Sequence, residues 1–239
     1  MVAKVSQSEL DNHAVVSQDE WLQASAKLLA LEKEWSRRRD ELGAMRRALP
    51  WVRVEKDYVF EGTCGPVSLA GLFGEHSQLI TYHFMFGPGW DEGCTGCSFI
   101  ADHMDGANLH LPHDDVSLVA VSRAPLGEFQ AYKERMGWKF AWVSSAGTDF
   151  NYDFGVSFHR EDLDRGEVFY NFKNQKLKSD EQPGVSVFYK NAAGEIFHTY
   201  SSYERGLDML IGANAYLDMV PKGRNEGSAM DWVRRHDRY

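Results

Sequence analysis

Two cysteines set one helical turn apart, Cys94-Thr95-Gly96-Cys97, are the part of this sequence best suited to chemistry. A thiolate attacks a disulfide or a peroxide oxygen, and a second sulfur nearby then resolves the mixed disulfide or sulfenic acid. That division of labour needs one accessible, acidic thiol and one sheltered partner. A pair that opens a helix supplies both. Cys94 would sit at the N-terminus, where unpaired N–H groups and the helix dipole favour a thiolate, and Cys97 would point inward with Ile100 and Met104. Asp91 and Glu92 precede the pair and oppose a thiolate by charge repulsion, so no strong pKa depression is expected. Read as structure alone, the two cysteines are small apolar residues facing a core.

Other polar residues gather around this pair. In open α/β sheets, sites form at the carboxyl ends of parallel strands, which places Arg123 with Ser122, Ser144 and Ser145 near the cysteine loop. Arg123 is the candidate cation, able to stabilise a thiolate or polarise a peroxide oxygen; its competing role is to bond strand-end carbonyls. Trp90, Thr95 and Ser98, which flank the cysteines, are expected to contact substrate. Cys64 reads as an inert thiol and His83 as a hydrogen-bonded core histidine. His113-Asp114-Asp115 reads as a solvated loop or cap. A metal reading draws in His110 and His113, but the histidine spacing is one residue short, Pro112 interrupts it, and the intervening segment is a helix facing a core. Zinc or an iron–sulfur cluster held by Cys94 and Cys97 remains the competing use of the same thiolates. The redox reading itself calls for no cofactor and no metal ligands.

These residues must be held by elements that the pattern also predicts. Ser17-Gln18-Asp19-Glu20 has the spacing of a helix-capping box. Trp21, Leu28, Trp35, Leu42 and Leu49 then recur every seven residues as far as Pro50, with Ala24, Leu31 and Met45 filling the seam. This long helix needs its stripe covered, by the chain's own body or by a second copy in a homodimer. Beyond it, Val52 to Phe60 and the glycine-bearing segment Glu61 to Pro66 suggest a hairpin entry, and Gln78 to Phe86 a central strand. A helix with inner face Cys97, Ile100, Met104, Ala107 and Leu111 follows, then a strand at Val116 to Val121. A helix from Pro125 buries Phe129, Tyr132 and Met136, and Phe140 to Val143 forms a third strand. Strand, helix, strand, helix, strand at this spacing implies a parallel sheet centre. Val185–Tyr189 and Glu195–Tyr200 make an antiparallel hairpin across Asn191–Gly194, and Leu207, Leu210, Ile211 and Leu217 a closing helix. The expected organisation is a helical extension over 1–50, one domain over 51–220 and a poorly ordered tail over 221–239, with Trp232 as its one anchor.

Composition narrows the classes. Among 239 residues, 26 Lys and Arg face 35 Asp and Glu, a formal charge of −9, which argues against nucleic acid as a partner. No run approaches the roughly 20 apolar residues of a membrane span, and the first residues lack the apolar stretch of a secretory signal. A cytoplasmic protein without a membrane partner is expected.

Longer motifs carry a resemblance. Tyr82-His83-Phe84-Met85-Phe86, Cys94-Thr95-Gly96-Cys97-Ser98, Ser122-Arg123-Ala124-Pro125, Arg135-Met136-Gly137-Trp138 and Trp142-Val143-Ser144-Ser145 resemble a bacterial family of unknown function classed as thioredoxin-like. The resemblance continues through Asp149–Phe154, Gly184–Phe188 and His198–Ser201 and so covers nearly the whole chain. More distantly, Val67–Phe73 and Val185–Ile196 are similar to segments of the peroxiredoxins, the alkyl hydroperoxide reductase and thiol-specific antioxidant proteins. The resemblance implies a thioredoxin-like α/β fold, a central mixed sheet flanked by helices, with Cys94 attacking and Cys97 resolving. It implies a disulfide or peroxide substrate and a cellular dithiol reductant. Two departures stand out. The Pro-x-x-x-Thr-x-x-Cys pattern of peroxiredoxins is not intact, since Cys94 takes the threonine's place when Cys97 is aligned with the cysteine. Where thioredoxins face the pair with a cis-proline, the matching residue here is Ser186, which is thereby expected in the substrate groove.

Overall fold

The computed structural model describes residues 4–239. The chain forms two compact units, one from residues up to Pro50 together with Tyr216–Asp231, the other from Trp51–Ala215 together with Trp232–Tyr239. In the first, α1 (Gln7–Asp11) and α2 (Gln18–Arg47) each begin with a complete capping box. For α2, Ser17 Oγ accepts from the Glu20 N–H while the Glu20 carboxylate accepts from the Ser17 N–H at 2.9 Å. Arg46 and Arg47 in the last turn suit the negative end of the dipole. No side chain of α2 is buried, so the stripe from Trp21 to Leu49 stands open. The turns after Leu217 join this unit: Arg224 forks onto Asp218 with two bonds of 2.8 Å, and the Asn225 side chain accepts from the Val5 N–H.

The second unit is built on β1 (Val52–Arg53), β2 (Val59–Gly62), β3 (Gly65–Ser68), α3 (Leu69–Leu72), β4 (Gln78–His83), α4 (Thr95–Ala101), α5 (Met104–Asn108) and β5 (Val116–Ser122). It continues through α6 (Leu126–Arg135), β6 (Ala141–Ser144), α7 (Phe150–Asp153), α8 (Arg160–Arg165), β7 (Val168–Tyr170), β8 (Lys173–Gln175), β9 (Gly184–Lys190), β10 (Ile196–Tyr203) and the first residues of α9 (Gly212–Leu217). Eight strands form one sheet in the order β1-β10-β9-β4-β5-β6-β2-β3. β4, β5 and β6 are parallel, and β9 and β10 return antiparallel beside β4. A β-α-β unit joined to an antiparallel hairpin in the order β10-β9-β4-β5 is the thioredoxin-like arrangement, here extended by β6 and the β2–β3 hairpin.

Side-chain alternation divides the core between the two faces of the sheet. Ile80, Tyr82, Leu118 and Ala120 face one cluster with Cys97, Ile100, Met104, Phe129, Tyr132, Met136 and Trp142. Leu79, Val119, Val121 and Val143 face the other with Phe60, Phe73, Phe150 and Phe188. Through that second face runs a chain of polar side chains: His83 Nε2 to Ser186 Oγ at 2.9 Å, Ser186 Oγ to Ser201 Oγ at 3.1 Å, and Ser201 Oγ to His198 Nε2 at 2.8 Å. Burial pushes the His83 pKa down to about 3, so this imidazole is neutral.

Several elements differ from the sequence expectation. The helix after the cysteines breaks at Asp102–His103 into α4 and α5, and Leu111–Asp114 is a single 3-10 turn. The His103 ring explains the break: Nδ1 donates back to the Phe99 carbonyl at 2.7 Å, and Nε2 accepts from the Ala213 N–H at 3.1 Å. Ala107 is therefore exposed, off the expected inner face. The ribbon β7–β8 turns through Asn171 and Phe172, both left-handed, and a phenylalanine there gives no turn signal. The last residues are no loose tail. Val233 is buried, and Trp232 packs edge-on against Phe99 at 5.6 Å. Among the described residues, no helix is long and apolar enough to cross a membrane.

Candidate active site

The cysteine pair is carried by the extension of β4. Phe84 prolongs the ladder, its N–H donating to the Val121 carbonyl at 2.9 Å, and the Phe86 carbonyl accepts from the Ala124 N–H at 3.0 Å. Both rings are buried, which fixes the exit of the strand. The chain then turns at Gly87–Trp90, with left-handed Gly89, and returns so that the Cys94 N–H donates to the Met85 carbonyl at 3.1 Å. Cys94 caps α4: its carbonyl accepts from the Ser98 N–H at 2.9 Å and the Ser98 hydroxyl at 2.8 Å. Gly93 has no room for a side chain, because an added Cβ would lie 2.5 Å and 2.7 Å from the Phe84 ring and 2.9 Å from Tyr132. Gly93→Ala should destabilise the fold by about 1–3 kcal/mol. A calorimetric melting temperature unchanged from the parent's would refute this.

The two sulfurs occupy different environments. Cys94 is half-buried, and its pKa is lowered to about 6. A hydrogen bond from the Cys97 thiol is the main cause, aided by the Cys97 and Gly96 N–H groups and the charge of Arg235, against the opposing effect of burial. Cys97 is 2% exposed, and burial together with the Cys94 thiolate drives its pKa well up. The Met85 N–H reaches its sulfur at 3.5 Å. The Tyr82 hydroxyl, buried beside Cys97 without a hydrogen bond of standard geometry, is itself raised well above its ordinary value.

The cation beside the thiolate is Arg235, which the sequence reading did not single out. Its Nη2 donates to the Gly93 carbonyl at 2.7 Å, its Nε to the Tyr132 hydroxyl at 3.1 Å, and its Nη1 lies 3.0 Å from the Glu92 carboxylate. The expected repulsion from Glu92 is thereby cancelled, since Arg135 at 2.6 Å and Arg238 hold the same carboxylate. Those pairings keep Glu92 below the usual carboxylate range.

Arg123, the candidate cation, has its charge engaged by carboxylates. It pairs with Glu181 and, at 2.8 Å, with Asp180, and its guanidinium lies over the Tyr152 ring. Burial outweighs this partner and pushes Glu181 up to about 7. The strand-end serines are satisfied by the backbone: Ser122 Oγ donates to the Phe84 carbonyl, Ser144 Oγ to Ala124, and Ser145 Oγ to Ser122. Ser98 is buried, with its hydroxyl tied to Tyr132 at 2.7 Å and closed off from solvent. Ser186 is fully buried in the polar chain with His83, on the sheet face opposite Cys97, and lines no groove at the pair. Trp90 packs partly buried against the cluster of Cys94, and Thr95 opens α4 half-exposed. No cis peptide bond is present among the described residues. Cys64 is an exposed thiol on the β2–β3 turn. Among the described residues, no three His, Cys, Asp or Glu side chains come together as metal ligands, so His110 and His113 do not complete a site with the pair.

A family model described as a bacterial protein of unknown function (DUF899) matches residues 10–239. No curated protein matches the chain. Solved structures similar to it include peroxidoxin BcpB from Mycobacterium tuberculosis, with 14% identity, 69% of this chain and 94% of that one covered, and a TM-score of 0.46. Another is a mutant of peroxiredoxin Q from Xanthomonas campestris, with 12% identity, 66% and 90% covered, and a TM-score of 0.42. A third is the mitochondrial 2-Cys peroxiredoxin from Plasmodium falciparum, with 12% identity, 70% and 91% covered, and a TM-score of 0.41.

Proposed function

We propose that this chain, which belongs to the bacterial DUF899 family of unknown function, is a thiol–disulfide oxidoreductase that cycles between a Cys94, Cys97 dithiol and their disulfide. The observation that carries the reading is the contrast between the sulfurs: a half-buried thiol lowered to about 6 beside a buried one raised well above its ordinary value. At neutral pH the first is a thiolate and the second a protonated reserve. The Cys94 thiolate attacks one sulfur of a substrate disulfide and expels the other as a thiolate. Cys97 loses its proton, attacks the Cys94 sulfur and expels the second substrate thiolate. The products are an enzyme disulfide and a reduced substrate, and a cellular dithiol restores the pair. A hydroperoxide enters the same cycle: the Cys94 thiolate takes the outer oxygen, the alkoxide leaves and is protonated, and Cys97 condenses with the sulfenic acid to release water. A cytoplasmic setting would supply the dithiol that restores the pair.

The test is the reduction potential of the pair, measured by thiol labelling and mass spectrometry across glutathione ratios after metal analysis. A reversible two-electron transition that vanishes in Cys94→Ser is expected. Thiols that stay unreactive, or that hold zinc or an iron–sulfur cluster, would replace this reading with a non-catalytic binding protein. The open stripe on α2 supports a second element, pairing of two copies through that helix. Light scattering should give twice the chain mass for the parent and the chain mass for Trp35→Asp. A monomer in both would remove the pairing.

A further inference from the structure

The peptide bond between Gly93 and Cys94 is held at both ends. Its carbonyl accepts from Arg235 Nη2 at 2.7 Å, and its N–H donates to the Met85 carbonyl at 3.1 Å. Because a peptide is planar, fixing both groups fixes the direction in which the chain enters Cys94. Met85 belongs to the strand extension, but Arg235 arrives from the far end of the sequence. It is brought there by a strap, Trp232–Tyr239, with several attachments: Trp232 on Phe99, buried Val233, His236 to Asp102 at 2.6 Å, Asp237 to Arg135 at 2.7 Å, and Arg238 to Glu92. Arg235 is the strap residue that reaches the cysteine loop backbone, and its side chain is only 16% exposed. A guanidinium suits this place, since its rigid fork serves Gly93, Tyr132 and Glu92 at once.

We propose that Arg235 is a positioning residue for Cys94, and that docking of the C-terminal strap and the reduced, attacking form of Cys94 support one another. The proposal rests on the reading of Cys94 as the attacking thiol. Coupling between two events is reciprocal. Whatever the thiolate gains from the guanidinium, the docked strap gains from the thiolate, and that attraction is absent when the Cys94 sulfur is neutral in a disulfide. The groups facing the thiolate are Cys97 and Tyr82 on the buried side, and Tyr132, Glu92, Arg135 and Arg238 around Arg235. Oxidation would loosen the docked strap and reduction would tighten it.

The experiment uses the full chain and three variants, with far-UV circular dichroism to confirm folding. The Cys94 thiolate is titrated by its ultraviolet absorbance and by iodoacetamide alkylation located with mass spectrometry. Arg235→Met should raise the Cys94 midpoint by about one pH unit. Arg238→Met removes the same charge from the same strap without the Gly93 contact and should shift it less than half as far. Arg235→Lys should fall between the parent and Arg235→Met. Equal shifts in Arg235→Met and Arg238→Met, or none in either, would overturn the positioning role. Hydrogen exchange on the unmodified chain tests the coupling even if a variant misfolds: amides of residues 232–239 should exchange severalfold faster in the disulfide form. Equal rates in both forms would overturn it. A parent Cys94 that titrates at the ordinary thiol value is a separate result, and it would remove the proposed nucleophile whatever the strap does.

Discussion

Cys97→Ser should give a protein that attacks once and stops. Studied on a Cys64→Ser background, because Cys64 is an exposed thiol that would react in its own right, the parent should release two equivalents of thionitrobenzoate from Ellman's reagent. The first comes from attack by Cys94, the second from resolution by Cys97. Cys97→Ser should release one and retain the other as a stable mixed disulfide, visible as a mass adduct on Cys94. Cys94→Ser should react at least about a hundredfold more slowly, since the remaining thiol is buried and protonated. The pH dependence follows from the lowered pKa of about 6. The rate should be flat above about pH 7 and fall tenfold per unit below 6, in step with the thiolate fraction. Two equivalents from Cys97→Ser, or a rate still climbing through pH 9, would end the assignment of roles.

Arg123→Met should strongly destabilise the folded body while leaving the cysteines untouched. It leaves the Glu181 carboxylate, 1% exposed, with Ser157 at 2.9 Å but no cation. Removing one member of a buried ion pair costs about 3–5 kcal/mol. The folded pKa of Glu181, about 7, lies above its ordinary 4.5, so its contribution to stability is greatest below 4.5 and declines as pH rises towards 7. Loss of Arg123 raises the folded value further. The deficit of the variant should therefore be larger at pH 8 than at pH 5.5, where Glu181 holds a proton and is buried neutral in both proteins. Urea unfolding at the two pH values reads this directly, and an equal deficit at both would show that Glu181 is not the group left stranded.

Local rules made much of this protein readable from its residues. The capping box at Ser17 and Glu20, the strand-forming runs of β4 and β5, and the placement of Cys94 at a helix start are short-range signals, and each is present. What failed to show was long-range pairing of polar groups. Arg123 meets Asp180 and Glu181, which are 57 and 58 residues away in sequence, so a strand-end arginine gave no hint that its charge was already engaged. Arg235 meets Gly93 across 142 residues, from a segment whose glycines and charges read as an unstructured end. Trp232 was the one legible anchor there, and it is one of the attachments of the strap. Ser186 was placed in the groove by its likeness to a proline position, but its pairing with Thr81 and its bond to His83 set it on the opposite face.

The polar chain that holds Ser186 has a direction. His198 Nε2 lies 3.0 Å from the Tyr200 carbonyl, which can only accept, so the proton of that imidazole is on Nε2 and also points to Ser201 Oγ. Ser201 then donates to Ser186 and Ser186 to His83 Nε2, which leaves the proton of the second imidazole on Nδ1, an atom without a hydrogen bond of standard geometry on a ring that the Asn151 side chain approaches. The carbonyl of Tyr200, at the bulge in β10, thus selects the tautomer of a histidine two strands away.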